Sequence, residues 1–241
     1  MAASARGTIA IITLIICSLF SAMASAHYLW LGVDAKKGDH GTVNLFFEEG
    51  PAAGDGKYLD PFIERGTTWV RTIDNLEPQP LKTVETKKPG KRWLAAAIPA
   101  DAPRSLDSRC QWGVYRYGNL DILLHYYARR LETNNAGQLK QLARAKQMRL
   151  DIVALDDQGT FQVLWEGKPA ANRPMYIRGP QRYRLNTKTD KKGVVTLSAK
   201  HKGRYLLRSF VELNEAGKFE GKAFQRIRHH ATLSIDLAAK K

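Results

Sequence analysis

The chain has 241 residues, of which 44% are hydrophobic and 25% charged, a balance that excludes a disordered or fibrous polypeptide and leaves room for one or two globular domains. Its 38 lysines and arginines against 23 aspartates and glutamates give a formal net charge of +15, which favours anionic partners or surfaces and says nothing about the fold.

From the N-terminus, Met1 to Arg6 carries one positive charge, an apolar run follows from Ile9 to Phe20, and Ala24-Ser25-Ala26 ends it. This reads as a secretory signal cut after Ala26. The run is about 12 residues, short of the roughly 20 that a membrane-spanning helix requires, and a small-x-small triplet is what signal peptidase takes. A retained anchor and a lipoprotein cut before Cys17 are competing readings, the second meeting Ile16 where a small residue is wanted. No second apolar stretch of spanning length follows, so the processed chain is expected to be soluble, without a transmembrane segment, and periplasmic or secreted. Processing removes Arg6 and Cys17; the basic excess survives, and Cys110 is left without a partner for an internal disulfide. Cys110 then reads as a buried small apolar residue, with a metal ligand as the alternative.

Beyond residue 26, short apolar or alternating runs are punctuated by Gly, Pro, Asn and Asp, the pattern of strands and turns. Strands are expected over Tyr28–Val33, Thr42–Phe47, Thr67–Ile73, Arg92–Ile98 and Gln111–Tyr117. Leu120–Leu131 fits either a helical face or a buried strand, and strand is preferred. Between Glu132 and Gln147 the chain turns polar and basic, with Leu139, Leu142 and Ala143 at helical spacing, so a linker helix and a domain junction are placed there. After it, Leu150–Leu155, Thr160–Trp165, Met175–Arg178, Val194–Ser198, Arg204–Leu213 and Ala231–Leu237 recur at sandwich-like intervals. In the last of these, Leu233, Ile235 and Leu237 alternate with Thr232, Ser234 and Asp236, which predicts an odd-numbered core face and a wet even-numbered one. The expected fold is all-β: a signal over 1–26, a β-rich domain with linker over 27–147, and an immunoglobulin-like or transthyretin-like sandwich over 148–241.

Four motifs in order carry a resemblance: His27-Tyr28-Leu29-Trp30-Leu31, Leu45-Phe46-Phe47-Glu48-Glu49 with a Gly/Asp loop to Tyr58-Leu59, Leu123-Leu124-His125-Tyr126-Tyr127-Ala128, and Arg228-His229-His230-Ala231-Thr232-Leu233. Together they resemble the exported bacterial domain family catalogued as nickel uptake substrate-specific transmembrane region. The C-terminal half also resembles a carboxypeptidase-regulatory-like sandwich, through Gly167-Lys168-Pro169, the turn Thr189 to Gly193, and Gly203-Arg204-Tyr205. The resemblance implies an exported all-β protein associated with transition-metal handling, acting through a transporter partner, since only the leader is apolar enough to enter a bilayer.

Cleavage after Ala26 would give His27 both an α-amine and an imidazole, able to chelate Cu(II), Ni(II) or Zn(II) through the amine and Nδ1; the amine pKa of roughly 7.7–8.0 makes its deprotonation easy near neutrality. The competing reading is a polar residue merely exposed by processing. For a second ligand, His229 shares parity with the core-facing Leu233 and is expected inward or at the domain rim, whereas His230 is expected in solvent and becomes a candidate if a bulge shifts the register. Against His229 stand a core histidine bonded to backbone and the nearby Arg226 and Arg228, which would repel a cation. His125 and Glu49 are reserve ligands, each with a structural alternative; Glu48 is the other carboxylate of that pair. His40 and His201 sit in Lys/Gly turns and read as solvated. No compact metal-ligand spacing, nucleophile elbow, phosphate loop or dinucleotide fingerprint exists, so a non-enzyme is expected, with copper-dependent oxidation as a minor alternative.

The basic pairs are spread through turns, favouring anionic envelope polymers or lipid headgroups over nucleic acid. The five tryptophans fall in expected strands and read as core. The leading expectation is therefore a metal-binding protein that delivers nickel, cobalt or copper to an envelope transporter through His27, His229, His125 and Glu49. The other is a metal-free structural or adhesive module for anionic polymers.

Overall fold

The computed structural model describes residues 27–133 and 135–239; the leader 1–26, and with it the reading of a cleaved signal, lies outside the described residues. In chain order the elements are β1 (Tyr28–Asp34), β2 (Thr42–Glu48), α1 (Asp60–Arg65), β3 (Thr67–Thr72), β4 (Gln79–Leu81), β5 (Val84–Lys88), β6 (Lys91–Ala97), β7 (Arg104–Tyr117), β8 (Leu120–Glu132), α2 (Ala136–Leu142), β9 (Leu150–Ala154), β10 (Thr160–Trp165), β11 (Lys168–Pro169), β12 (Pro174–Arg178), β13 (Arg184–Lys188), β14 (Val194–Thr196), β15 (Gly203–Leu213), β16 (Gly217–Phe219), β17 (Lys222–Phe224) and β18 (Arg226–Leu237). The class is all-β, and no helix among the described residues is long and apolar enough to cross a membrane.

Eight strands form a central sheet in the order β13-β12-β15-β18-β8-β7-β3-β4. A second sheet runs β1-β2-β6-β5, a third is built on β10 with β9, β11 and β14, and β16-β17 is a separate hairpin. Leu120–Leu131 is a strand, because both of its faces are apolar and both are covered. Ile122, Leu124, Tyr126 and Ala128 pack beneath Leu29, Leu31 and Leu45 of the second sheet. Tyr127 and Leu131 belong to the other core, with Ile152, Phe161 and Val163 of the third sheet and Leu233 and Ile235 of β18. Neighbouring residues on β3 divide the same way, Trp69 into one core and Val70 into the other. The central sheet is thus the middle of three layers. Strands from both sides of residue 147 share it, joined where β18 pairs with β8 in parallel, and each half of the chain adds its own smaller sheet on a different face.

This layering corrects the expectation of a wet face on the last strand. His230, Thr232 and Ser234 are all buried, because β1 lies across their side of the sheet and Thr232 Oγ1 donates to the Leu29 carbonyl at 2.5 Å. Alternation marks a solvated face only when nothing packs on it.

The linker helix α2 starts at Asn135, whose side chain accepts from the Gln138 amide at 3.1 Å, an ordinary N-cap. At its other end the carbonyls of Leu142, Ala143 and Arg144 receive the guanidiniums of Arg71 and Arg129. Both arginines are buried against Asp107, at 3.0 Å from Arg71 Nη2 and 2.7 Å from Arg129 Nε, and Arg129 Nη1 also lies 2.8 Å from Asp151. Burying these four charges is tolerated because each is paired and hydrogen-bonded, and because the partial negative charge of a helix C-terminus favours cations there. The network ties the segment after α2 to the sheet and so fixes Gln147 and Arg149.

Candidate metal and ligand site at His27

The β1–β2 ladder ends at the pair Tyr28↔Glu48, and His27 lies just beyond it. Its Nε2 is 3.3 Å from Glu48 Oε2, and its ring meets those of Phe47 and Tyr58 at centroid separations of 5.8 and 5.6 Å. The Glu48 carboxylate fits there because residue 54 is glycine: a Cβ at Gly54 would lie 1.8 Å from Glu48 Oε1. Burial pushes the Glu48 carboxyl above its ordinary value, His27 draws it down, and Asp55 and Glu49 push it up again.

Beside His27 is a cavity of about 330 Å³ walled by Phe47, Tyr58, Trp112, Tyr115, Tyr117 and Tyr126, with Asp55 and Lys57 also on its lining. Three of those aromatics reach the same side through a bulge. Between Gln111 and Gly113, β7 carries one residue more than its partner β8, and Gly113 takes φ of +123°. The extra residue inverts the alternation, so Trp112 and then Tyr115 and Tyr117 share one face. Trp112 is fixed by its Nε1 donating to the Tyr58 carbonyl at 3.0 Å; it is a wall of the cavity rather than simple core. Volume and aromatic lining both match a small-ligand cleft.

The other expected ligands do not gather at His27. His125 and His229 occupy matched positions on the parallel pair β8–β18, with rings stacked 4.5 Å apart at 16°. His229 is 0% exposed, its Nδ1 3.1 Å from the Tyr127 hydroxyl and its ring 4.7 Å from that of Trp165. Burial brings the pKa of His125 down to about 4 and that of His229 to about 3, with Arg149 adding to both. Because His125 and Tyr127 alternate with Leu124 and Tyr126 along β8, this pair is on the opposite face of the sheet from the His27 cavity. His230 is on the His27 side, stacked on Tyr126 at 5.1 Å and edge-on to Tyr28 at 5.4 Å; it too is held neutral, burial bringing its pKa to about 3.

Glu49 lies past the end of β2, where its carbonyl accepts from Arg178 at 3.4 Å; the carboxylate paired with His27 is that of Glu48. Arg226 and Arg228, expected to repel a cation, are both bound to Glu212. His40 pairs with Asp101 at 3.0 Å. Cys110 is buried, its Sγ donating to the Pro61 carbonyl at 3.3 Å, and burial raises its thiol to about 12, so it is no thiolate near neutrality. Among the described residues no group of three or more His, Cys, Asp and Glu side chains is disposed to hold a metal ion, so a metal at His27 needs a main-chain donor. No family model matches the chain, and no curated protein matches it.

The aromatic wall is what reading by strand alternation missed. Its one signal in the sequence is Gly113 inside an otherwise regular strand, a position that favours a bulge.

Proposed function

We propose that this chain is an exported, non-enzymatic transition-metal-binding protein that takes nickel, cobalt or copper at His27 and passes it to an envelope metal transporter. The observation that carries the reading is the contact between His27 Nε2 and Glu48 at 3.3 Å. A histidine that chelates through its α-amine and Nδ1 turns Nε2 away from the metal. A carboxylate accepting the Nε2 proton is the outer partner that fixes this tautomer and makes the ring a better donor. Cleavage after Ala26 supplies the amine, and two nitrogen donors suit Ni(II), Co(II) and Cu(II). The motif resemblance supports the same assignment and supplies the transporter as partner.

Calorimetric titration of Ni(II), Co(II), Cu(II) and Zn(II) into protein beginning at His27, beside a version with one extra residue before it, tests the reading. Near-stoichiometric binding that is lost in the extended version is the expected result; equal weak binding by both overturns it. The formal charge of +15 favours a second reading, an envelope module held to anionic polymers. In that case added salt releases the protein from envelope material and the extra residue changes nothing.

A further inference from the structure

On the opposite face of the central sheet from the His27 cavity lies a second one, of about 480 Å³. Its walls come from β3, β7 and β8, from the end of α1, and from the segment that the buried Arg71–Asp107–Arg129 network holds in place. Three guanidiniums line it, those of Arg65, Arg109 and Arg149, together with His125, the Tyr127 side chain and Gln147, and no carboxylate is on its lining. Like charges are not collected around a cavity without cost; Arg65 and Arg149 have carboxylate partners outside the lining, and a lining of cations without an acid is complementary to an anion.

The hydrogen bonds show which groups have donors to spare. Arg65 is committed, its Nε and Nη2 donating to the carbonyls of Gln111 and Trp112 and its Nη1 to Glu64 and Glu220, so it contributes charge. Arg109 donates from Nε to Thr67 Oγ1 at 3.4 Å and from Nη1 to the Gln147 carbonyl at 3.2 Å, and no carboxylate lies within ion-pair distance of it among the described residues. Arg149 donates to Glu166 from both Nε, at 3.1 Å, and Nη2, at 2.5 Å, which leaves Nη1 as its donor to spare, and it stacks on Trp165 with its guanidinium carbon 5.0 Å from the ring centre. Glu166 is itself half exposed, so water screens its hold on Arg149.

Tyr127 adds a neutral donor. Its hydroxyl is 3.1 Å from His229 Nδ1, and His229 Nε2 is buried with no partner. An orphaned N–H is costlier than an orphaned lone pair. The proton of the neutral ring therefore belongs on Nδ1, where it is donated to the Tyr127 oxygen, and this leaves the Tyr127 hydroxyl hydrogen to be given elsewhere. The positive field of the site acts on His125 as well, whose proton affinity is lowered by burial and by Arg149.

We propose that this cavity is an oxyanion site, taking a ligand that carries a phosphate or carboxylate group through Arg109 and Arg149, with the Tyr127 hydroxyl as a third donor. It does not depend on the metal reading, since it shares no residue with His27 and faces away from it.

The test is titration calorimetry at about 0.15 M ionic strength, where the Debye length is about 8 Å, on the chain from His27, with inorganic phosphate and succinate as the two probes. Saturable binding of either is expected, the tighter probe identifying the ligand class. Arg109→Gln and Arg149→Gln should each weaken it on the order of tenfold, and Tyr127→Phe less. Lys191→Gln removes the same charge from a distant turn and should leave affinity within about twofold, as expected of a screened, remote charge. Circular dichroism confirms folding of each variant; if Arg109→Gln does not fold, Arg149→Gln, on a half-exposed side chain, decides alone. Failure of both probes to bind, or equal weakening by Arg149→Gln and Lys191→Gln, overturns the site and reduces it to general surface charge.

Discussion

The two cavities lie on opposite faces of the same strands and have opposite characters. One is walled by six aromatic rings with His27 and Glu48 beside it; the other presents three arginines and no acid. Both arise from one stretch of β8, where Leu124 and Tyr126 point one way and His125 and Tyr127 the other. The difference teaches that a strand with both faces covered is two sequences interleaved, each read by a different layer. It also explains why His229 and His230, adjacent in the chain and both buried, meet different partners: one stacks on His125 and the other on Tyr126.

The strongest way to break this two-sided arrangement is at what both faces share. Asp107→Asn would leave Arg71 buried with no carboxylate partner and Arg129 with Asp151 alone. The expected loss is about 3–5 kcal/mol, read from the midpoint of denaturant unfolding, with both binding activities falling together. Acid should come next. His125, His229 and His230 have folded pKa values of about 4, 3 and 3, below the ordinary 6.5, so below that value the unfolded chain takes up protons that the folded chain refuses. Their contribution is fully present above about pH 6.5 and is lost as pH falls toward the folded values. Unfolding free energy measured from pH 8 down to pH 5 should be flat and then fall, and His230→Phe, which keeps a ring against Tyr126, should reduce the slope by one proton's worth.

Two smaller changes separate the faces. Gly113→Ala forces a side chain onto a φ of +123°, at an expected cost of about 1–3 kcal/mol. It should alter Trp112 fluorescence while phosphate or succinate binding on the other side is retained. Gly54→Ala is the most local. The new methyl displaces the Glu48 carboxylate and should weaken metal binding by His27-initiated protein about tenfold, the low end for losing an outer-shell partner, with little change in thermal stability.

The regular strands were legible because their pattern is local. Thr160–Trp165 is read to the residue, and Tyr28–Val33 and Arg204–Leu213 to within one. Strands whose pairing is set by distant partners were not. Arg104–Cys110 and Arg226–His230 are rich in charge and histidine, and they are strands because Asp107 answers two arginines and Glu212 answers two more. Polar edge strands such as Val84–Lys88 and Arg184–Lys188 carry no apolar alternation strong enough to read. At the site, the sequence drew attention to His27 and to the Glu48-Glu49 pair, and the structure brings His27 and Glu48 to 3.3 Å of each other. Which of the two glutamates turns toward His27 depends on the space left by Gly54, which no periodicity encodes. The arginine cavity was invisible, since Arg65, Arg109 and Arg149 come from three separate elements and share a wall only through tertiary packing.

The position of β18 has a consequence for how the chain reaches this state. It follows every other element in order, yet it lies in the middle of the central sheet, between β15 and β8. Before it inserts, both neighbours present open edges able to pair with other chains, and the core shared with the third sheet lacks Ala231, Leu233, Ile235 and Leu237. The rate-limiting step of assembly is then a pairing between segments far apart in sequence, whose loop entropy is lost before its contacts are gained. A chain stopped before Arg226 therefore keeps the residues of the core against the second sheet but leaves β8 and β15 as open edges, which makes it an aggregation hazard.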